Sequence, residues 1–194
     1  SYSERRLKSL QIVTDGVPQK KPLKLVRSVC ELNDTTLWIT TAGEGVVKVR
    51  IAGTADNPVV TEAKRFTIGD GNVEDNQFTV AYKDDSNTVW FGTLGKGVYK
   101  MHSRSERMEN IQFGKIEKSL LNNIYAIHKN SQGYWFGTAD GLVNLNNNQK
   151  TIYNDQNGLP FKMISGILED NSSNLWLTTN RGIVKFSLQR LTPH

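Results

Sequence analysis

Gly133-Tyr134-Trp135-Phe136-Gly137-Thr138-Ala139-Asp140-Gly141-Leu142-Val143-Asn144-Leu145 is one of four versions of a single phrase in this chain. The other versions occupy residues 37–49, 89–101 and 175–186. Each consists of an aliphatic or aromatic residue, a Trp, a short β-rich run ending in Thr, a glycine turn and a second short strand. All four tryptophans of the protein, Trp38, Trp90, Trp135 and Trp176, take the same place in it. The steps between them are 52, 45 and 41 residues. A period of about 40–50 residues built from short strands points to an all-β chain, a β-propeller of four-stranded antiparallel blades.

Upstream of each Trp lies a segment of alternating hydrophobicity that ends in a polar turn. Residues 25–32 lead into Asn33-Asp34-Thr35-Thr36, and residues 78–83 into Asp84-Asp85-Ser86-Asn87. Residues 124–128 lead into Lys129-Asn130-Ser131-Gln132-Gly133, and residues 163–169 into Asp170-Asn171-Ser172-Ser173-Asn174. Period-two alternation reads as strand, and Asx/Ser/Gly clusters read as hairpin turns. Weaker outer strands are expected at 59–66, 109–113 and 150–153. The blades are therefore placed at 25–66, 78–113, 124–153 and 162–187 of a single propeller unit, 1–194.

The last blade stops after its third strand. Residues 7–13, followed by Asp15-Gly16-Val17-Pro18, mirror 150–153 followed by Asn157-Gly158-Leu159-Pro160. Residues 7–13 thus read as the outer strand of a split blade. Two geometries follow. Either 7–13 completes blade four and closes a four-bladed ring, or the chain is an arc of a larger ring. In the second case an absent or partner strand completes the blade, and the open edges invite self-association.

The 194 residues are 37% hydrophobic and 22% charged, enough for a substantial core. No stretch approaches the roughly 18 apolar residues that span a bilayer, and no signal peptide is expected within these residues. The lone cysteine, Cys30, excludes an intramolecular disulfide and reads as a small buried hydrophobe. The net charge of +5 owes much to Arg5, Arg6, Lys8, Lys20, Lys21, Lys24 and Arg27. That cluster reads as a solvated face, and no nucleic-acid partner is assigned.

The four Trp read as the structural core of the repeat, packed between blades. Thr41, Thr93, Thr138 and Thr179 read as bonded to nearby backbone. The residue before each shared turn glycine is charged: Glu44, Lys96, Asp140 and Arg181. Equivalent turns share one face, so these four are the ligand-binding candidates, set against plain charge pairing between blades. His102, His128 and His194 fall in no catalytic or metal-binding spacing, so no catalytic residue, metal or cofactor is assigned. The Asx-rich turns are explained as hairpin turns without Ca²⁺.

The aliphatic-Trp-aromatic-Gly-Thr order followed by Gly-Leu or Gly-Val, seen best in residues 133–142, resembles the two-component regulator propeller repeat. Asn157-Gly158-Leu159-Pro160 and Glu169-Asp170 share the likeness, which covers residues 7–187. Thr40 and Thr178 depart from it by replacing the glycines at 92 and 137, and the first two glycine turns carry one extra residue. The resemblance implies a periplasmic, usually seven-bladed propeller that serves as the sensor region of a membrane-bound histidine kinase. Such kinases are frequently hybrid kinases of gut Bacteroidetes that detect oligosaccharides. It implies an extracytoplasmic, non-enzymatic sensor segment, with an oligosaccharide ligand and membrane attachment outside this chain. Self-association is expected through open blade edges or as a receptor dimer. The rival classes are a propeller lyase or hydrolase, which needs His and acidic residues converging on one face, and a protein-interaction scaffold without a small ligand.

Overall fold

Each Trp phrase folds as the second and third strands of an antiparallel meander. The computed structural model describes residues 23–54, 57–102, 105–115 and 119–188, so the strand expected at 7–13 lies outside the described residues. Sheet one is β1 (Val26–Asn33), β2 (Thr36–Thr41), β3 (Val46–Thr54) and β4 (Asn57–Phe66). Sheet two is β5 (Phe78–Lys83), β6 (Thr88–Thr93), β7 (Val98–His102) and β8 (Met108–Ile111). Sheet three is β9 (Ile124–Asn130), β10 (Gly133–Thr138), β11 (Gly141–Asn146) and β12 (Gln149–Tyr153). Sheet four has three described strands, β13 (Ile164–Glu169), β14 (Asn174–Thr179) and β15 (Gly182–Ser187).

The first strands of the sheets stand side by side, β1 against β5, β5 against β9 and β9 against β13. Hydrogen bonds tie these neighbours. The Ala81 N–H donates to Ser28 Oγ at 3.3 Å, Thr79 Oγ1 donates to the Ile124 carbonyl at 2.5 Å, and His128 Nε2 meets Glu169 Oε2 at 2.8 Å. The links between sheets are pinned by buried asparagines. Asn76 Oδ1 takes the Ile68 N–H, and Asn122 Oδ1 takes the N–H groups of Phe113 and Gly114.

The sheets stack face to face, and the Trp fills the gap between them. Trp38 lies 5.2 Å from Phe91, and Trp90 lies 4.3 Å from Tyr134 and 5.8 Å from Phe136. Trp135 packs among Leu175 and Leu177 of the next sheet and Leu188, which follows that sheet's last strand. Because a twisted sheet covers its neighbour on either side, β6 and β10 are buried on both faces through their centres. By contrast, β14 alternates between buried and exposed, because only its Leu175 and Leu177 face is covered.

The consequence appears at the fourth Trp. Trp38, Trp90 and Trp135 are 0%, 5% and 1% exposed, whereas Trp176 is 39% exposed. Leu168 and Ile183 on the same face are 68% and 70% exposed. The opposite end of the stack differs: Ile39, Val47, Val49 and Ala63 of sheet one are buried, with Leu23 packed against them. No apolar cluster of the described residues joins sheet four to sheet one.

The turn glycine shows what the outer strand does. Gly141 has φ +128°, and an added Cβ would sit 2.3 Å from the Tyr153 carbonyl oxygen of β12. Gly182 has φ +131° but open space around it, since no fourth strand is described beside β15. Gly141→Ala is therefore expected to cost backbone strain plus a clash, about 3 kcal/mol or more, and Gly182→Ala the strain alone, about 1–2 kcal/mol. Urea unfolding of the two variants checks this. Equal losses would mean that a strand covers Gly182 in solution.

Candidate functional site

The turns between the second and third strands are built alike in all four sheets. The hydroxyls of Thr41, Thr93, Thr138 and Thr179 donate to the carbonyls of Gly45, Gly97, Gly141 and Gly182 at 2.7, 2.7, 2.9 and 2.9 Å. The same oxygens accept the N–H groups of Glu44, Lys96, Asp140 and Arg181, each at 3.1 Å. One Thr thus closes the turn and fixes the backbone of the charged residue, leaving only its side chain to move.

Those four side chains do not meet at one point. Glu44 pairs with Arg65 of its own sheet at 3.0 Å, and Lys96 pairs with Asp75 of the preceding link at 2.9 Å. Asp140 lies 3.5 Å from Lys162 of the following link. The Lys96 ammonium and the Asn72 amide hold the Asp75 carboxyl below the usual carboxylate range. Asp155 and Asp140 push the Lys162 ammonium up. Arg181 forms no ion pair among the described residues. It lines a cavity of about 300 Å³ with Asp155, Pro160, Phe161, Lys162 and Asn180.

A larger cavity, about 380 Å³, opens where the first strands of all four sheets converge. Each of those strands carries a β-bulge near its start. The register skips between Val26 and Ser28, between Phe78 and Val80, between Ile124 and Ala126, and between Ile164 and Gly166. The skipped residues are Arg27, Thr79, Tyr125 and Ser165, and all four line the cavity. A bulge breaks the ladder and re-aims one side chain; here it happens four times around one centre. Gln77 and Phe78 of the second sheet and the turn residues Ala42 and Leu94 complete the lining. Those turns fold over the strand starts. The Ala42 N–H donates to the Leu25 carbonyl at 3.0 Å, and the Leu94 N–H to the Gln77 carbonyl at 2.9 Å. The cavity therefore lies at the end of the sheets that carries the glycine turns.

Sequence reading selected the charged turns and passed over the bulged residues. The available signal was internal. The residue before each bulge is apolar in all four repeats (Val26, Phe78, Ile124, Ile164), while the bulged position changes type every time. Without the convergence of the strands, that position looks like any exposed strand residue.

The Asx turns are filled by protein donors. Asp84 accepts the Ser86 N–H and hydroxyl, the Thr88 N–H, the Trp90 indole N–H and, from the next sheet, the Tyr134 hydroxyl. Asp170 accepts the Ser172 and Asn174 N–H groups and the Trp176 indole N–H, and Asn130 accepts the Gln132 N–H and the Trp135 indole N–H. In sheet one the Trp38 Nε1 is buried without a partner. Among the described residues no three His, Cys, Asp or Glu side chains cluster as metal ligands, and no helix is long and apolar enough to cross a membrane.

No family model matches the chain, and no curated protein sequence matches it either. Solved structures match its fold. The extracellular domain of a protein described as a hybrid two-component system of B. thetaiotaomicron is similar with a TM-score of 0.69 at 18% identity, over 87% of this chain and 24% of that one. A computationally designed protein, Ika4, is similar with a TM-score of 0.56 at 10% identity, over 93% of this chain and 100% of its own length. The extracellular domain of a one-component system of B. thetaiotaomicron is similar with a TM-score of 0.50 at 13% identity, over 91% of this chain and 29% of that one. At these identities the likeness is one of fold: antiparallel four-stranded sheets stacked in sequence. The chain spans about a quarter of the first of these domains, 24% of its length.

Proposed function

We propose that this chain is part of the extracytoplasmic, periplasmic sensor region of a two-component, hybrid histidine kinase, with an oligosaccharide as its ligand and no catalytic activity of its own. The observation that carries this reading is the fold likeness to the extracellular domain of the B. thetaiotaomicron hybrid system, a TM-score of 0.69 over 87% of the chain. The repeat phrase supports it independently, since it resembles the propeller repeat of such sensors. The stack is an arc of a larger propeller. The uncovered Trp176 face supports that part of the reading, as does the chain's 24% share of the matched domain. Self-association through the open end of the stack belongs to the same reading, because an apolar sheet face left in water favours a partner. Ligand binding transmits a signal here only through different affinity for two arrangements of the stack.

The encoding gene provides the direct test. Read beyond the codon for His194, it is expected to continue into further repeats, a membrane-spanning helix and kinase domains. A reading frame that closes without them overturns the sensor assignment. Calorimetry of the parent ectodomain against a panel of neutral and charged oligosaccharides tests the ligand class separately.

A further inference from the structure

We infer that the cavity at the centre of the four first strands binds a small hydroxylated organic anion, its carboxylate held by Arg27. This rests on the sensor reading for its biological meaning, while the binding itself stands on the cavity. The repeats provide an internal comparison. Trp, the turn Thr and the turn glycine recur because each carries a structural contact. The bulged position instead reads Arg27, Thr79, Tyr125 and Ser165, one guanidinium and three hydroxyl-bearing side chains brought around one space. The bulge thus repeats as a backbone device, while the side chain it aims into the space is free to differ from blade to blade.

The lining sets the ligand's chemistry. Among the described residues Arg27 is the one cationic side chain of the lining, and no carboxylate lines the cavity. Among the described residues its guanidinium has no ion pair or hydrogen bond, unlike Glu44, Lys96 and Asp140, which are all paired. An unpaired guanidinium presents a fork of N–H donors that matches a carboxylate. The Tyr125 hydroxyl likewise has no partner among the described residues, and it stands two strands away from Arg27 in the order β1, β5, β9, β13. Thr79 spends its hydroxyl proton on the Ile124 carbonyl and keeps lone pairs to accept from a ligand. The Gln77 amide donates to the Val73 carbonyl, which leaves its oxygen as a further acceptor. Phe78 and Leu94 provide apolar wall. The space, about 380 Å³, lies at the small end of the range for small-molecule sites. The fitting ligand is a monoanion with a compact body bearing hydroxyls.

The test uses isothermal calorimetry on the full chain with gluconate and glucuronate. Sorbitol and glucose are the uncharged counterparts, and inorganic sulfate and phosphate are further arms. At least one carboxylate is expected to bind, and its uncharged counterpart to bind at least about tenfold more weakly. Arg27→Gln is expected to remove that preference and Tyr125→Phe to weaken binding several-fold. Arg27 is exposed, so unchanged circular dichroism and thermal midpoint of Arg27→Gln are expected and certify the fold. The inference is overturned if no carboxylate binds more tightly than about 10 mM. It is equally overturned if Arg27→Gln leaves binding intact, or if sulfate or phosphate binds as tightly as the carboxylates. A gene without kinase domains sinks the sensor reading and leaves carboxylate binding untouched. Binding of neutral oligosaccharides alone sinks this inference and leaves the sensor reading.

Discussion

Trp135→Ala is expected to destabilise the chain by about 4 kcal/mol, and Trp176→Ala by about 1 kcal/mol or less, although the two residues are equivalent in sequence. Trp135 is enclosed by Leu142, Leu159, Leu175 and Leu177, and its indole N–H donates to Asn130 Oδ1 at 3.0 Å. Removing it leaves a cavity between two sheets that the surrounding strands, fixed by their ladders, cannot close. Trp176 makes the corresponding hydrogen bond, to Asp170 Oδ2 at 2.8 Å, and has Lys185 Nζ 5.6 Å from its ring centroid. No following sheet covers it among the described residues, so the truncation opens no cavity. Urea unfolding followed by fluorescence, repeated at several protein concentrations, measures both losses. A Trp176→Ala loss equal to that of Trp135→Ala would show that the fourth sheet's open face is covered in solution. If that loss grows with concentration, the cover is a second copy of the chain.

The contrast marks where sequence reading stops. The strands and their order are legible because alternation and turn chemistry are local, and the repeat multiplies a weak signal by four. The structural role of the turn Thr is legible for the same reason, since its contacts lie within five residues, whereas the turn glycine also answers to an outer-strand carbonyl such as that of Tyr153. The difference between Trp135 and Trp176 is not local. It depends on whether another sheet stands beside the one that carries the Trp. The cavity is invisible for a related reason. Arg27, Thr79, Tyr125 and Ser165 are separated by about a repeat length each, and only the side-by-side packing of β1, β5, β9 and β13 makes them neighbours. The charged turns are conspicuous in the sequence because every repeat carries a charge before its glycine. In the fold, Glu44, Lys96 and Asp140 each have an opposite charge nearby.

Asp84→Ala is expected to cost about 3 kcal/mol, far more than most turn substitutions, because one buried carboxylate serves two sheets. One oxygen holds the turn through Ser86 and Thr88, and the other takes the Trp90 indole and the Tyr134 hydroxyl across the sheet interface. Alanine strands all of these donors. Asp84→Asn keeps the shape and one acceptor oxygen, as Asn130 does in sheet three, and is expected to cost about half as much. The pH dependence separates charge from shape. Burial pushes the Asp84 carboxyl up, but hydrogen bonds from Ser86, Tyr134, Thr88 and Trp90 outweigh it, and the group ends below the usual range. A carboxyl held low in the folded chain contributes stability above its unfolded value near 3.9 and loses it as pH falls toward the folded value. The gap between wild type and Asp84→Asn is therefore expected to be full at pH 7 and to narrow below about pH 4. Burial first, and then the hydrogen bond to Asp84, hold the Tyr134 hydroxyl well above the ordinary tyrosine range, so Tyr134 is expected to resist alkaline titration in wild type and to titrate earlier in Asp84→Asn. A stability gap that stays constant from pH 7 to pH 3, with an unchanged tyrosine titration, would mean that the carboxylate acts through shape alone.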